Sequence, residues 1–393
     1  MIPSGRSPNF RMFLLTRKLN KNVVFIIGGI GVVYVVLKFF DNFLKANEEV
    51  QLSLDNMRTK RILYYNPPSW FSDFDFGHCR YSSCVISTNM SYLPESDAVI
   101  FNHNQLSSVP PIKTPNQKWI FTCSESPYYG KKTSSEPQWR HKFDWVMSFR
   151  RDSEFFFGYG DIVPKTRFIE KNYEKIFEQK KKLVAWIASH CDTQSKREQY
   201  VHEMSKIEKV DVFGSCGNLK CEKYTGSEND SCHDFVGKNY KFYLAFENSL
   251  CRDYTSEKFY NVYAFDHPII PVVLGSFTLE NYSHGAVYID VNKYRTPLHL
   301  TRRLLSLGND KEAYIDLLRK KDRFSALTSP QTFRTAMCKM CEYLSLDKPG
   351  RSDLDIADWF YGQDHCRSPK QIHKPVTRNS INMKEAQKYL NKV

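Results

Sequence analysis

Short apolar runs rich in β-branched and aromatic residues recur along the chain, and each gives way to a polar stretch with turn residues. RILYYN (61–66), AVIFNH (98–103), KWIFTCSES (118–126) and WVMSFR (145–150) form a first series. LVAWIAS (183–189), VDVFGS (210–215), KFYLAFENS (241–249), IIPVVLG (269–275) and VYID (287–290) form a second. Between the later runs the apolar period lengthens to that of a helix. SKREQYVHEMSKIEKV (195–210) places apolar residues at helical spacing. TSEKFYNVYAF (255–265) opens on Thr255 or Ser256 as a cap, with acid in its first turn. RTPLHLTRRLLSLG (295–308) has Pro297 near its start and Gly308 at its end. Apolar strands separated by helices predict an α/β fold with parallel sheets covered on both faces. The charged stretch 165–182 lacks strand character and marks a division. It predicts two Rossmann-like domains, 60–170 and 183–345, that face one another across one cleft, followed by a tail, 346–393.

The amino-terminal pattern differs. Residues 1–22 hold Arg6, Arg11, Arg17, Lys18 and Lys21 and no acid. VVFIIGGIGVVYVVLKFF (23–40) follows, with Lys38 its only charge, and is long enough to span a bilayer as a helix. Basic residues before it keep that side in the cytosol. The reading is a cytoplasmic tail (1–22), a transmembrane signal anchor (23–40), a polar stem (41–59) and a lumenal body. No small-residue cleavage site follows the span, which argues against a removed signal peptide.

Composition agrees with a lumenal body. Hydrophobic residues are 41% and aromatics 15%, enough for a sizeable core. Eleven cysteines are many for a cytosolic protein and read as disulfides. Zinc is the competing reading of Cys338 and Cys341, but the matching knuckle is missing. The odd count leaves a thiol over, and Cys123, inside WIFTC, is the candidate. Asn89, Asn229 and Asn281 head N-glycosylation sequons. The net charge of +13 comes from Lys and Arg scattered among acids, a solvated surface and not a nucleic-acid groove.

The densest chemistry lies in FENSLCRDYTSEK (246–258), between a core strand and a helix. Lys258 and Arg252, with the new helix's free N–H groups, suit a diphosphate. Glu257 would repel phosphate and accept from sugar hydroxyls. Asn248 can donate and accept, and Tyr254 can donate to phosphate or stack. No glycine-rich phosphate loop is present. Asp73-Phe-Asp75 is a DxD string of the kind that holds Mn²⁺ on a diphosphate, but it lies in the first domain, far from this loop. The expectation is therefore no required metal, with Mn²⁺ stimulation left open. His103, ending a first-domain strand, is either an acceptor contact or an ordinary strand-end residue.

The block YKFYLAFENSLCRDYTSEKFYNVYAFDHPIIPVVLG (240–275) resembles the signature of the α1,3-fucosyltransferases, glycosyltransferase family 10, with Ser256 where Thr is usual. ESP (125–127), FDWVMSFRRDSEFFFGYG (143–160), VAWIASHC (184–191), VDVFGSCG (210–217), ENY (280–282) and Cys338–Cys341 extend the likeness. The resemblance implies a two-domain GT-B glycosyltransferase that moves fucose from GDP-fucose to GlcNAc with inversion. Glu125, in ESP, would be the general base, facing the cleft from the acceptor side. Arg197 and Lys258 would face the diphosphate, Tyr254 and Asn248 would complete the polar shell, Glu257 would hold donor hydroxyls, and Ser189 would be a weaker phosphate contact. The family's carboxy-terminal CxxC ties back to the first domain, so Cys338 and Cys341 would pair with Cys79 and Cys84 in an order left open. The expected location is the Golgi membrane, as a single-pass type II protein. The acceptor, on an N-glycan core or an outer arm, stays open, as does the oligomeric state, a homodimer among the alternatives. Two other classes compete: a lumenal carbohydrate-binding protein that kept the fold and lost turnover, and a membrane-anchored scaffold with a basic surface.

Overall fold

The computed structural model describes residues 58–130, 132–220, 231–362 and 365–369. The anchor and stem readings, and Asn229, lie outside them. Among the described residues no helix is long and apolar enough to cross a membrane.

Nine apolar runs become strands because each offers side chains to a core on both faces. In β3 (Ala98–Asn102) and β4 (Lys118–Cys123) alternate residues part company. Ile100 and Ile120 join one core; Val99, Phe101, Trp119 and Phe121 join the other. With β1 (Lys60–Tyr64), β2 (Cys84–Ser87), β5 (Trp145–Ser148) and β6 (Phe155–Phe156) they build a parallel sheet in the order β2-β1-β3-β4-β5-β6.

A second parallel sheet repeats the logic. Its strands are β8 (Lys182–Ile187), β9 (Val210–Phe213), β10 (Tyr240–Phe246), β11 (Ile270–Leu274) and β12 (Ile289–Asp290), in the order β12-β11-β10-β8-β9. Within β10, Phe242, Leu244 and Phe246 face helices Arg197–Ser205, Pro297–Asn309 and Lys311–Lys321, while Tyr243 and Ala245 face helix Glu257–Ala264. The fold is thus α/β with parallel sheets covered on both sides.

Between the sheets in sequence, β7 (Gly160–Pro164) pairs antiparallel with β13 (Phe324–Thr328). A Cβ at Gly160 would sit 2.4 Å from Tyr260 and 2.8 Å from the Leu327 carbonyl, so only glycine fits there. The charged stretch read as a bare division holds a short helix, Tyr173–Gln179.

Helix Ser329–Ser345 departs from the sequence expectation of a 183–345 domain. It packs on the first sheet, giving Phe333, Ala336, Met337, Met340 and Leu344 to the core around Ile62, Ile100 and Ile120. Two disulfides fasten it there: Cys79–Cys338 and Cys84–Cys341. This supplies the order that the family likeness left open. Cys191–Cys216 and Cys251–Cys366 are also bonded, Cys232 is disulfide-bonded, and Cys123 is a buried free thiol.

The two long-range bonds span 259 and 257 residues. Taken alone, each such cross-link restricts the unfolded chain by about 5 kcal/mol in a loop-entropy account. Non-reducing peptide mapping is expected to recover Cys79 with Cys338 and Cys84 with Cys341. The swapped pairs, or free thiols at these positions, would contradict the packing.

Candidate active site

Strand β10 ends at Phe246, and the next residue sets the local geometry. Glu247 is 1% exposed. Its Oε1 accepts from the Ser256 N–H at 2.7 Å, both carboxylate oxygens lie 2.8 Å from the Ser256 hydroxyl, and Oε2 lies 3.4 Å from Lys258 Nζ. A buried carboxylate must be satisfied in this way, and doing so folds residues 247–256 back on the strand end. Gly275, after β11, makes room: a Cβ there would lie 2.6 Å from Glu247 Cγ. Burial pushes the Glu247 carboxyl above its ordinary range, against the pull of the Lys258 ammonium.

Ser256 precedes helix Glu257–Ala264, so the anchoring also fixes where that helix starts. Lys258 Nζ lies 2.8 Å from the Ser256 hydroxyl and 2.9 Å from Glu257 Oε1. Burial alone would lower its pKa, but Glu247 and Glu257 outweigh burial and hold it above the usual lysine value. Burial likewise opposes ionisation of Glu257, yet Lys258 holds its carboxyl below the usual range. Both groups therefore stay charged through neutral pH. Glu257 is exposed at the helix start, open to a hydroxylated ligand, and Lys258 is partly exposed beside it.

Arg197 enters from the other side. It opens helix Arg197–Ser205 after Lys196, whose φ is +52°. Its guanidinium is 2% exposed and donates to the Phe246 carbonyl at 2.5 Å and the His190 carbonyl at 2.9 Å. The structure thus uses Arg197 to tie the ends of β8 and β10 together. Its Nε is buried without a partner among the described residues, as is Oδ1 of Asn248. Ser189 is exposed, close in sequence to the Cys191–Cys216 bond.

Glu125 comes from the first sheet, two residues past β4. It is half-buried, and Oε1 accepts from the Ser126 N–H at 2.7 Å and from the Tyr254 hydroxyl at 2.6 Å. Its other oxygen has no protein partner among the described residues. Tyr254 therefore does something other than the expected phosphate contact. It is 2% exposed, packed edge-on against Phe149 and Tyr159, and spends its hydroxyl on Glu125. Burial, then the neighbouring Tyr159 and Glu125, keep it a protonated donor. Two more bonds join the β4 loop to loops of the second sheet: Ser126 Oγ to Ser249 Oγ at 2.7 Å, and the Gln194 N–H, in the loop after β8, to the Tyr129 hydroxyl at 3.0 Å. Beneath, the Cys123 thiol donates to the Glu125 carbonyl, and burial pushes its pKa well up.

So Glu125, Tyr254, Arg197, Asn248, Glu257, Lys258 and Ser189 all lie at the carboxyl ends of β4, β8 and β10 or the helix starts that follow. Sequence reasoning missed the work of Glu247 and Tyr159. Tyr159, in FGYG, has its pKa raised by burial and then by the charges of Glu125, Glu257 and Glu247. The DxD aspartates hold their own turn: Asp73 accepts from Phe74 N–H and Asp75 from Gly77 N–H. Asp73 also lines a cavity that reaches Ser124, so the string is nearer the Glu125 loop than its sequence position implies. His78, Cys79 and Cys338 cluster, but the disulfide occupies both sulfurs. His103 is 2% exposed beneath Gly130, a poor position for touching an acceptor. Asn89 and Asn281 are exposed.

Two family profiles match the chain. One, described as fucosyltransferase, N-terminal, covers residues 57–160; the other, glycosyltransferase family 10 (fucosyltransferase) C-term, covers residues 177–359. Among curated relatives, a Drosophila melanogaster α-(1,3)-fucosyltransferase C is 27% identical over 75% of this chain and 72% of its own. A 3-galactosyl-N-acetylglucosaminide 4-α-L-fucosyltransferase of Bos taurus is 31% identical over 71% of this chain and 74% of its own. A crystal structure of an α1,3-fucosyltransferase with GDP superposes with a TM-score of 0.48 at 16% identity, over 76% of this chain and 93% of that one.

Replacing Glu247 by Ala removes the acceptor that Ser256 and Lys258 share. Stability is expected to fall by about 1–3 kcal/mol in urea unfolding, the cost of stranding buried donors. Unchanged stability would mean that the loop holds its shape without the carboxylate.

Proposed function

The chain belongs to glycosyltransferase family 10, the α1,3-fucosyltransferase family, and from that membership we propose that it transfers L-fucose from GDP-fucose to the 3-hydroxyl of GlcNAc on a glycoprotein glycan, with inversion. The observation that carries the reading is the Tyr254–Glu125 hydrogen bond. It sets a carboxylate from the first sheet beside the cationic and hydroxylated loop of the second.

The proposed arrangement is GT-B-like, with GDP-fucose on the second sheet's strand ends and the acceptor on the first. Glu125 accepts the acceptor's hydroxyl proton while that oxygen attacks C1 of fucose. The C1–O bond to phosphate breaks on the opposite face, and GDP leaves with the electron pair. A β-linked donor so becomes an α-linked product. Tyr254 and Ser126 hold Glu125 by one oxygen and leave the other for the proton. Lys258 and Arg197 are fixed positive charges for the departing diphosphate, which need no reorganisation as charge develops. Lys258 reaches it by releasing Glu257, which is then free for sugar hydroxyls. The unmatched Nε of Arg197 and Oδ1 of Asn248 offer further contacts to the donor.

The body is proposed to work in the Golgi lumen behind a type II anchor. Long-range disulfides, which persist in oxidising compartments, and exposed Asn89 and Asn281 support that.

Incubation with GDP-fucose and GlcNAc-bearing glycopeptides, with NMR of the product's anomeric proton, tests the reaction. A retained β configuration, or no transfer, would refute it. Glu125→Gln is expected to bind GDP-fucose normally and lose about 10²- to 10⁴-fold in transfer. Loss of donor affinity in parallel would instead make Glu125 a part of the cleft wall. Lys258→Ala is expected to weaken GDP binding by about 10- to 150-fold, the range for one charge-assisted phosphate contact, read by calorimetry on the folded variant.

A further inference from the structure

The far end of the second sheet carries a separate concentration of charge. Strand β8 starts at Lys182 and runs to Ile187 at the candidate active site, about 17 Å away at the usual rise per residue. At the amino ends of β8, β9 and β10 lies a cavity of about 410 Å³. Lys180, Lys181, Lys182, Lys209 and Lys241 line it, against two acids, Glu208 and Asp211. Asp211 is shared: it lies 2.7 Å from Lys182 Nζ and 3.3 Å from Lys209 Nζ. Lys180 donates to the carbonyls of Gly237 and Tyr240, and Lys241 to that of Gly308. Gly237 and Gly308 lie in the last turns of helices Ser231–Asn239 and Pro297–Asn309, so these two lysines also serve as end caps. A carbonyl satisfies an N–H without cancelling the ammonium charge. Lys181 is exposed and has no carboxylate partner among the described residues. With Glu208 ionised, the lining still carries more positive than negative charge. Lys180 registers the imbalance: burial, then Lys321 and Lys241, push its pKa down to about 7.

We propose that this cavity binds a phosphate ester, with the phosphate held by Lys181, Lys182 and Lys209 and the organic part lying along Leu183 and Leu305. Three features lead to that chemistry. Lys182 and Lys209 converge on one carboxylate, so their ammonium groups already lie close together. Each ammonium has three N–H donors. Lys182 spends two, on Asp211 and the Tyr240 hydroxyl, and Lys209 one, on Asp211, which leaves donors for a ligand. The surplus charge calls for more than one negative charge on the ligand. A phosphate monoester supplies between one and two near neutral pH, with several acceptor oxygens, where a carboxylate supplies one charge at most. The volume exceeds that of a bare ion and falls in the range of small-ligand sites, about 300–1,000 Å³. Leu183 and Leu305 give the remainder of the molecule an apolar bed. Soluble sugar phosphates and phosphorylated lipid headgroups share this chemistry. The proposal does not depend on the transferase reading, since none of these residues belongs to the candidate active site.

The test uses full-length protein in detergent. One arm titrates it with glucose 6-phosphate by calorimetry, with glucose as the uncharged control. The other dopes the micelle with phosphatidylinositol 4-phosphate and reads the rise in thermal midpoint that a ligand of the folded state produces. The wild type is expected to respond to the phosphate in at least one arm and not to glucose. Lys181 and Lys209 are exposed, so replacing both by Ala leaves the fold and the ligand-free midpoint as they are. That double variant is expected to weaken binding by about tenfold or more. Lys258→Ala, at the other end of the sheet, leaves it unchanged. A response in the first arm alone assigns the cavity to a soluble ester, and one in the second alone to a lipid headgroup. No response in either arm overturns the proposal. So does a response that the double variant keeps in full, or one that Lys258→Ala abolishes.

Discussion

A carboxylate taken out of water must find its hydrogen bonds inside the protein, and Glu247 finds them in one serine and one lysine. That requirement bends the chain after β10, sets the first residue of helix Glu257–Ala264, and stations a charged lysine at the helix start. Gly275 answers the same demand from the neighbouring strand, since any side chain there would collide with Glu247. The opening of this loop on so many ionisable groups is thus largely structural: part of the charge exists to keep the remaining charge in place.

The second constraint is the junction between loops. Tyr254 to Glu125, Ser126 to Ser249 and Gln194 to Tyr129 connect residues of the first sheet's β4 loop with the loops of the second. Each contact is short and directional, and the first involves the candidate base itself. A displacement of the β10 loop by a bound nucleotide would act on Glu125 directly through the Tyr254 hydroxyl. Under the proposed reading, proton acceptance at Glu125 and donor occupancy would be mechanically linked through that hydrogen bond.

Much of this was legible in the chain. All nine apolar runs are strands, because residues buried on both faces leave an unbroken apolar signature. The helix read in TSEKFYNVYAF begins at Glu257, with Ser256 at its cap position and an acid in its first turn. What escaped depended on partners remote in sequence. Strand β2 is four residues long at a sheet edge, with Val85 exposed, too weak a pattern to stand out. Strand β13 has meaning only opposite β7, and helix Ser329–Ser345 reveals its destination only through Cys338, Cys341 and the sheet they reach. At the site, residue types were readable but their allegiances were not. Tyr254 and Arg197 looked like ligand contacts, yet both are buried and serve neighbouring loops first; nothing in local sequence distinguishes a tyrosine that donates to phosphate from one that donates to a glutamate.

The seating of that late helix on the early sheet has a consequence for how the molecule is made. Residues 79 and 84 meet their partners only after more than 250 further residues have followed, 259 and 257 positions downstream. Domains usually complete in order of synthesis, at roughly 5–20 residues per second. Here the first-made sheet must wait tens of seconds with one apolar face uncovered and Cys79 and Cys84 unpaired, while Cys191, Cys216, Cys221, Cys232 and Cys251 all appear before Cys338 and Cys341 do. The first half of the chain is therefore the last to be finished, and biogenesis is expected to lean on chaperones that shield that face and on disulfide isomerases that undo premature pairs.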